Sequence, residues 1–119
     1  MREIKFRAWW VYDDGEELVP KMLDHDDLMC YSDFTRASKA GDILLMQYTG
    51  LNDRHDVEIY ECDFVKTVDG IMRIEYLKDS FQCIDKDGKN HRLYDYIYSG
   101  CCVVIGNIYE NPELNDDFM

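Results

Sequence analysis

The stretch Asp63-Phe64-Val65-Lys66-Thr67-Val68-Asp69-Gly70-Ile71-Met72-Arg73-Ile74-Glu75-Tyr76-Leu77 decides the fold. Asp69-Gly70 is a strong two-residue hairpin signal, because the favoured turn needs positive φ at its central positions. After it, Met72, Ile74 and Tyr76 alternate with Arg73 and Glu75 through Leu77, which places the apolar set on one face of a strand. Before it, Asp63 to Val68 reads as the partner strand. The same punctuation continues downstream. Lys78-Asp79 turns into Phe81 to Ile84, where Phe81 and Cys83 share a face. Asp85-Lys86-Asp87-Gly88-Lys89 turns into His91 to Tyr94, and a short helical bend through Tyr94 to Ser99 and Gly100 leads to Cys102 to Tyr109. Five short strands at this spacing fit a small closed antiparallel barrel of the Src-homology-3 type over residues 57 to 109. Val65, Ile74, Phe81 and Ile105 are its expected core.

Upstream, Ile4, Phe6 and Ala8 alternate with Glu3, Lys5 and Arg7, giving a first strand with one buried face. Asp13-Asp14-Gly15 is a turn, and Leu18 to Leu23 returns as a second strand that Pro20 confines to an edge. Residues 24 to 42 carry no clear period, with a helical turn or two expected over Phe34 to Ala40. Gly41-Asp42 resets the chain before Ile43 to Tyr48, an apolar run read as a buried strand. The fold class is mainly β, α+β overall, in a single domain of residues 1–119. Residues 1–56 form a strand and loop extension, 57–109 the barrel and 110–119 an acidic tail.

Four segments carry a family resemblance. They are Met1-Arg2-Glu3-Ile4-Lys5-Phe6-Arg7-Ala8-Trp9, Leu45-Met46-Gln47-Tyr48-Thr49-Gly50-Leu51, Ile59-Tyr60-Glu61-Cys62-Asp63-Phe64-Val65 and Val104-Ile105-Gly106-Asn107-Ile108-Tyr109-Glu110-Asn111-Pro112-Glu113-Leu114. Together they resemble the YopX-like proteins, small proteins carried by bacteriophages and prophages, whose biochemical role is not established. The resemblance also points to the small barrel. It marks Gln47, Tyr48, Thr49, Gly50, Leu51, Ile59, Tyr60, Glu61, Asp63, Gly106 and Asn107 as motif positions with a structural role. Two departures stand out. The family usually has Gly where this chain has Cys62, so the backbone there is either ordinary extended chain or locally altered. A Gly is also common in the turn that here reads Asn52-Asp53-Arg54-His55-Asp56, where Asp tolerates a left-handed conformation better than most residues.

Composition narrows the function classes. The 119 residues are 46% hydrophobic and 32% charged, a globular balance for one core. No apolar run approaches the roughly 20 residues of a membrane helix, and no signal-peptide pattern opens the chain, so a cytoplasmic protein of the bacterial host cell with no membrane association is expected. A net charge of −12 argues against direct binding to a nucleic-acid backbone. Acidic residues crowd Asp13, Asp14, Glu16, Glu17, Asp24, Asp26 and Asp27, and again Glu110, Glu113, Asp116 and Asp117. They are read either as a solvated surface or as a negative face for a basic partner. Cys30, Cys62, Cys83, Cys101 and Cys102 form no paired-spacing motif and are expected to be reduced, small apolar residues.

No phosphate-binding loop, nucleophile arrangement or metal-ligand spacing is present, so no cofactor, no metal and no catalytic residue is assigned. Asp24-His25-Asp26-Asp27 cannot converge on one ion as consecutive residues. Asp85-x-Asp87-Gly88 opens like a calcium loop but lacks the remaining ligands, so a hairpin turn is preferred. His55 and His91 are lone histidines. Glu61 and Asp63, two apart on a strand, would share a face and form the one carboxylate pair open to hydrolytic acid–base work.

Aromatic residues carry the functional signal. Nine Tyr, five Phe and two Trp are more rings than a core this small encloses. Trp9, Trp10, Tyr94, Tyr96 and Tyr98 are the candidate interface. The expected function is that of a non-enzymatic phage or prophage accessory protein acting through protein contacts, as a homo-oligomer or with a host or phage protein. The alternative is an acidic DNA-mimic inhibitor of a host nucleic-acid-binding protein.

Overall fold

The computed structural model describes residues 4–13, 18–26, 41–78 and 80–115. It is mainly β, with antiparallel sheets of four and five strands and few helical turns. The chain divides between Gln47 and Tyr48 into two compact units. The helical turns expected over Phe34 to Ala40 lie outside the described residues.

In the first unit, β1 (Phe6–Asp13) lies between β2 (Leu18–Leu23) and the opening half of β3 (Gly41–Asn52). Pro20 sits in β2, which is the edge its missing N–H requires. Ala8 and Leu23 are paired in register and fully buried, with Trp10 packed against them. Ile43 to Tyr48 is not buried throughout, as a continuous apolar run suggests. Met46 and Tyr48 are buried, whereas Leu44 is 45% and Leu45 50% exposed. The strand extends to Asn52, and its early part has water on it where a parallel-sheet strand would be covered.

In the second unit, β5 (Asp63–Thr67), β6 (Gly70–Leu77), β7 (Ser80–Ile84), β8 (Asn90–Arg92) and β9 (Val103–Asn107) form the five-stranded sheet. Its order is β8-β7-β6-β5-β9, so both hairpins predicted from Asp69-Gly70 and Asp85–Lys89 are present. A short helix, α1 (Leu93–Ser99), joins β8 to β9 and ends at Gly100 with φ of 72°. The short strand β4 (Glu58–Tyr60) pairs instead with the later half of β3. After β9, α2 (Pro112–Asn115) turns back, and Arg73 Nη1 donates to Asn115 Oδ1 at 2.9 Å. The start of the expected acidic tail is therefore ordered against β6.

The core of this unit joins Ile59, Val65, Met72, Ile74, Cys83, Leu93, Tyr96 and Cys102. Val65 and Ile74 are where the alternation places them, and Phe81 packs half-buried against the same cluster. Ile105 is a correction: it is 37% exposed. In the β5–β9 pairing Phe64 opposes Gly106 but Val65 opposes Val104, so Ile105 is the extra residue of a bulge. The bulge breaks the period of two, and Val104 takes the inward position instead. Tyr76 also leaves the core at the end of β6, where it meets Phe81 edge-on with ring centres 4.9 Å apart.

Replacing Ile74 by Ala should cost about 2–5 kcal/mol, and replacing Ile105 by Ala less than about 1 kcal/mol. Urea denaturation of the two variants checks the assignment, and equal losses would contradict the bulge.

Candidate functional site

The motif positions are held by backbone hydrogen bonding. In β3, Thr49 Oγ1 accepts the Leu51 N–H at 3.1 Å, and Gly50 adopts φ of 86°. The register to β4 shifts between Tyr48 and Asn52, so this left-handed Gly serves a bulge. Tyr48 and Tyr60 face each other across the strands with centroids 5.5 Å apart. The Tyr48 hydroxyl donates to Asn52 Oδ1, and Asn52 Nδ2 donates to Asp56 Oδ1 at 2.9 Å. Gln47 closes the first unit opposite Phe6. In the turn Asn52–Asp56, Asp56 takes the left-handed position, with φ of 65°.

The hub of this region is Asp53, which the motif comparison does not single out. Its carboxylate is buried and accepts the N–H groups of His55 at 2.8 Å, Val57 at 2.9 Å and Val104 at 2.8 Å. Burial opposes its ionisation, but the N–H groups of Val104, Val57 and His55 together win and hold the carboxyl below its usual range. An Asp followed by turn-forming residues is the only sequence signal for it.

Cys62 is not ordinary extended chain. Its φ is 72°, a left-handed backbone that carries a side chain. Its N–H donates to Ile74 O at 2.8 Å and its carbonyl accepts Ile108 N–H at 3.0 Å, fixing the corner between β4 and β5 to β6 and to the end of β9. This corner also corrects the Glu61 and Asp63 pair. Residues 61 and 62 form a turn, so the two carboxylates do not share a strand face. Asp63 is buried and accepts the Tyr60 N–H at 2.8 Å, while Glu61 is half-exposed.

Gly106 and Asn107 close the chain. Asn107 Oδ1 accepts the N–H groups of Tyr109 at 3.0 Å and Glu110 at 2.8 Å, and its Nδ2 donates to Glu110 Oε1 at 2.8 Å. The Asn111 side chain fills the space beside Gly106, where an added Cβ would lie 2.7 Å from Asn111 Cγ.

The candidate interface rings are not brought together as a set. Tyr96 is 8% exposed, belongs to the core, and donates its hydroxyl to Asp69 Oδ2 at 2.8 Å. It falls on the inner side of α1 with Leu93, the helical spacing overriding the two-residue spacing of a strand. Tyr94 and Tyr98 are 61% and 83% exposed and stack with centroids 6.3 Å apart. Trp9 and Trp10 are both half-buried in β1.

Beside α1 lies a cleft of about 430 Å³, lined in part by Val68, Asp69, His91, Arg92, Tyr96 and Ser99. His91 Nε2 is 2.7 Å from Asp85 Oδ2, while Asp85 Oδ1 accepts the N–H groups of Asp87 and Lys89 at 2.9 Å each. The Asp85 carboxyl is lowered chiefly by His91 and then by the Lys89 N–H. This is hairpin-turn chemistry, as expected for 85–89. Burial pushes the Cys83 and Cys102 thiols up to about 12, which makes them inert apolar fillers. Among the described residues no group of three or more His, Cys, Asp or Glu gathers to hold a metal, and no helix is long and apolar enough to cross a membrane.

Two outcomes follow from the Asp53 and Cys62 geometry. Asp53→Asn should lower stability at neutral pH by about 1–3 kcal/mol. Because the folded carboxyl titrates below the ordinary 3.8, its contribution is complete above that value. It is lost as pH falls through the lower folded value, so the gap between wild type and variant should narrow in acid. At the corner, Cys62→Val should cost about 2 kcal/mol, since a β-branched residue resists positive φ. Cys62→Gly should be neutral or stabilising by up to about 1 kcal/mol. Chemical denaturation of the three proteins gives the order, and a Val variant as stable as wild type would contradict it.

The crystal structure of protein EF1440 from Enterococcus faecalis is similar to this chain at a TM-score of 0.56 and 24% identity, covering 96% of this chain and 99% of that one. That likeness concerns the fold. No curated protein matches the sequence. The family model described as YopX protein matches residues 5–115, nearly the whole length and all four motif segments in large part. The chain therefore belongs to the YopX family.

Proposed function

We propose that this YopX-family chain is a non-enzymatic phage or prophage accessory protein that acts in the bacterial cytoplasm through protein contacts, first of all with copies of itself. The observation that carries the reading is the division of labour among its side chains. Motif groups such as Thr49, Asp63 and Asn107 hold backbone, whereas the stacked Tyr94 and Tyr98 rings and Val68, 77% exposed, are left on the surface. Exposed aromatic area beside a cleft suits recognition of another protein. The five-stranded unit is read as an opened-out barrel of the Src-homology-3 type. Supporting this are its five short strands, its single core and the helical turn before the last strand.

The competing reading, an acidic mimic of DNA, needs carboxylates displayed for a basic partner. Of the residues in the two acidic stretches, Asp14, Glu16, Glu17, Asp27, Asp116 and Asp117 lie outside the described residues, and Glu110 accepts a hydrogen bond from Asn107 Nδ2.

Light scattering at micromolar concentration should give a mass above the 14.1 kDa of one chain. Association should tighten as salt rises from low values, because screening weakens repulsion between copies carrying −12 each. A mass of one chain at every salt concentration would overturn self-association, and capture of a basic DNA-binding host protein would promote the mimic.

A further inference from the structure

We propose that α1 is the centre of a two-fold contact between two copies of this chain, with Tyr98 of each copy entering the other's cleft and Arg92 of each meeting Asp95 of the other. The inference rests on the self-association reading and adds where it occurs.

A two-fold contact must use one surface twice, so that surface needs both a knob and a hole, and both charge signs. The face of α1 has all of these. Tyr98 is 83% exposed, the most exposed of the large apolar side chains described, and it precedes Ser99, which lines the cleft of about 430 Å³. Leu93 and Tyr96 point into the core, and at 3.6 residues per turn Tyr94, Asp95 and Tyr98 then share the outward arc. The cleft walls suit a phenol ring. Val68 and the Tyr96 ring offer apolar area, and Asp69 and His91 offer polar atoms for the hydroxyl.

Charge selects the occupant. Arg92 caps the start of α1 without a side-chain capping bond, and Asp95 follows in its first turn. Both are exposed, and among the described residues neither side chain has a hydrogen bond or ion pair. Arg92 puts a positive charge on this face beside the carboxylates of Asp95 and Asp69, so on a chain of net charge −12 it gives a second copy a cation to meet its own Asp95. If two α1 helices run antiparallel with residue 92 opposite residue 95, Tyr98 lies beyond the start of the other copy's α1, on the side of β8, whose His91 lines the cleft.

The test uses the full chain in analytical ultracentrifugation at moderate salt. Arg92→Asp leaves two acidic groups on the face, and Asp95→Arg leaves two basic ones. Each should weaken self-association by about tenfold or more, since like charges brought together across an interface are costly. The double variant Arg92→Asp/Asp95→Arg should recover affinity to within a few-fold. An equimolar mixture of the two single variants should form mixed pairs more tightly than either alone. Tyr98→Ala should weaken association by about thirtyfold, the loss of a central ring. Circular dichroism confirms that each variant folds. Wild-type association with unchanged affinity in the single variants overturns this interface while leaving self-association standing. A wild-type protein that stays monomeric overturns both.

Discussion

Three backbone N–H groups converge on the buried carboxylate of Asp53, and the second unit depends on that contact. Two of them, from His55 and Val57, are local and shape the turn between β3 and β4. The third comes from Val104, 51 residues away, and ties this turn to β9. The neighbouring Arg54 N–H reinforces the tie by donating to Cys102 O at 3.1 Å. A buried carboxylate without these donors would be strongly unfavourable, so the turn, the charge and the position of β9 are fixed together. From β9 the constraint passes to β5 through the bulge at Ile105 and to the β4–β5 corner through Cys62.

Seen from that hub, the family motif is a set of corner pieces. Gly50 supplies a bulge, Cys62 a left-handed corner, Asp63 a partner for the Tyr60 N–H, and Asn107 a cap for the residues that follow β9. Their side chains are engaged in keeping irregular backbone satisfied, which any buried turn requires. The exposed Tyr94 and Tyr98 rings lie elsewhere, on α1.

The strands were legible because their signals are local. Asp69-Gly70 fixed a hairpin, Met72 and Ile74 showed the inward face, and Pro20 marked an edge. Tyr96 parts from Tyr94 and Tyr98 because the segment is helical, as the bend through Tyr94 to Ser99 implies: at 3.6 residues per turn it falls with Leu93, and only packing shows that their side faces the core. Asp53 was passed over because a turn Asp is common in sequence, and nothing local shows that a distant N–H will reach it.

By itself, then, the sequence determined the mainly β class, the hairpins of the five-stranded sheet, its principal core residues and the family. Each of these follows from patterns spanning a few residues, or from motifs matched one by one. Tertiary structure alone decided that Ile105 turns outward, that Cys62 sits at positive φ, that Asp53 reaches Val104, and that only Tyr94 and Tyr98 of the three tyrosines reach the surface. These depend on which strand lies beside which. Pairing between residues far apart in the chain sets bulges, buries charges and chooses the exposed face of a helix, and no short window of sequence contains that information.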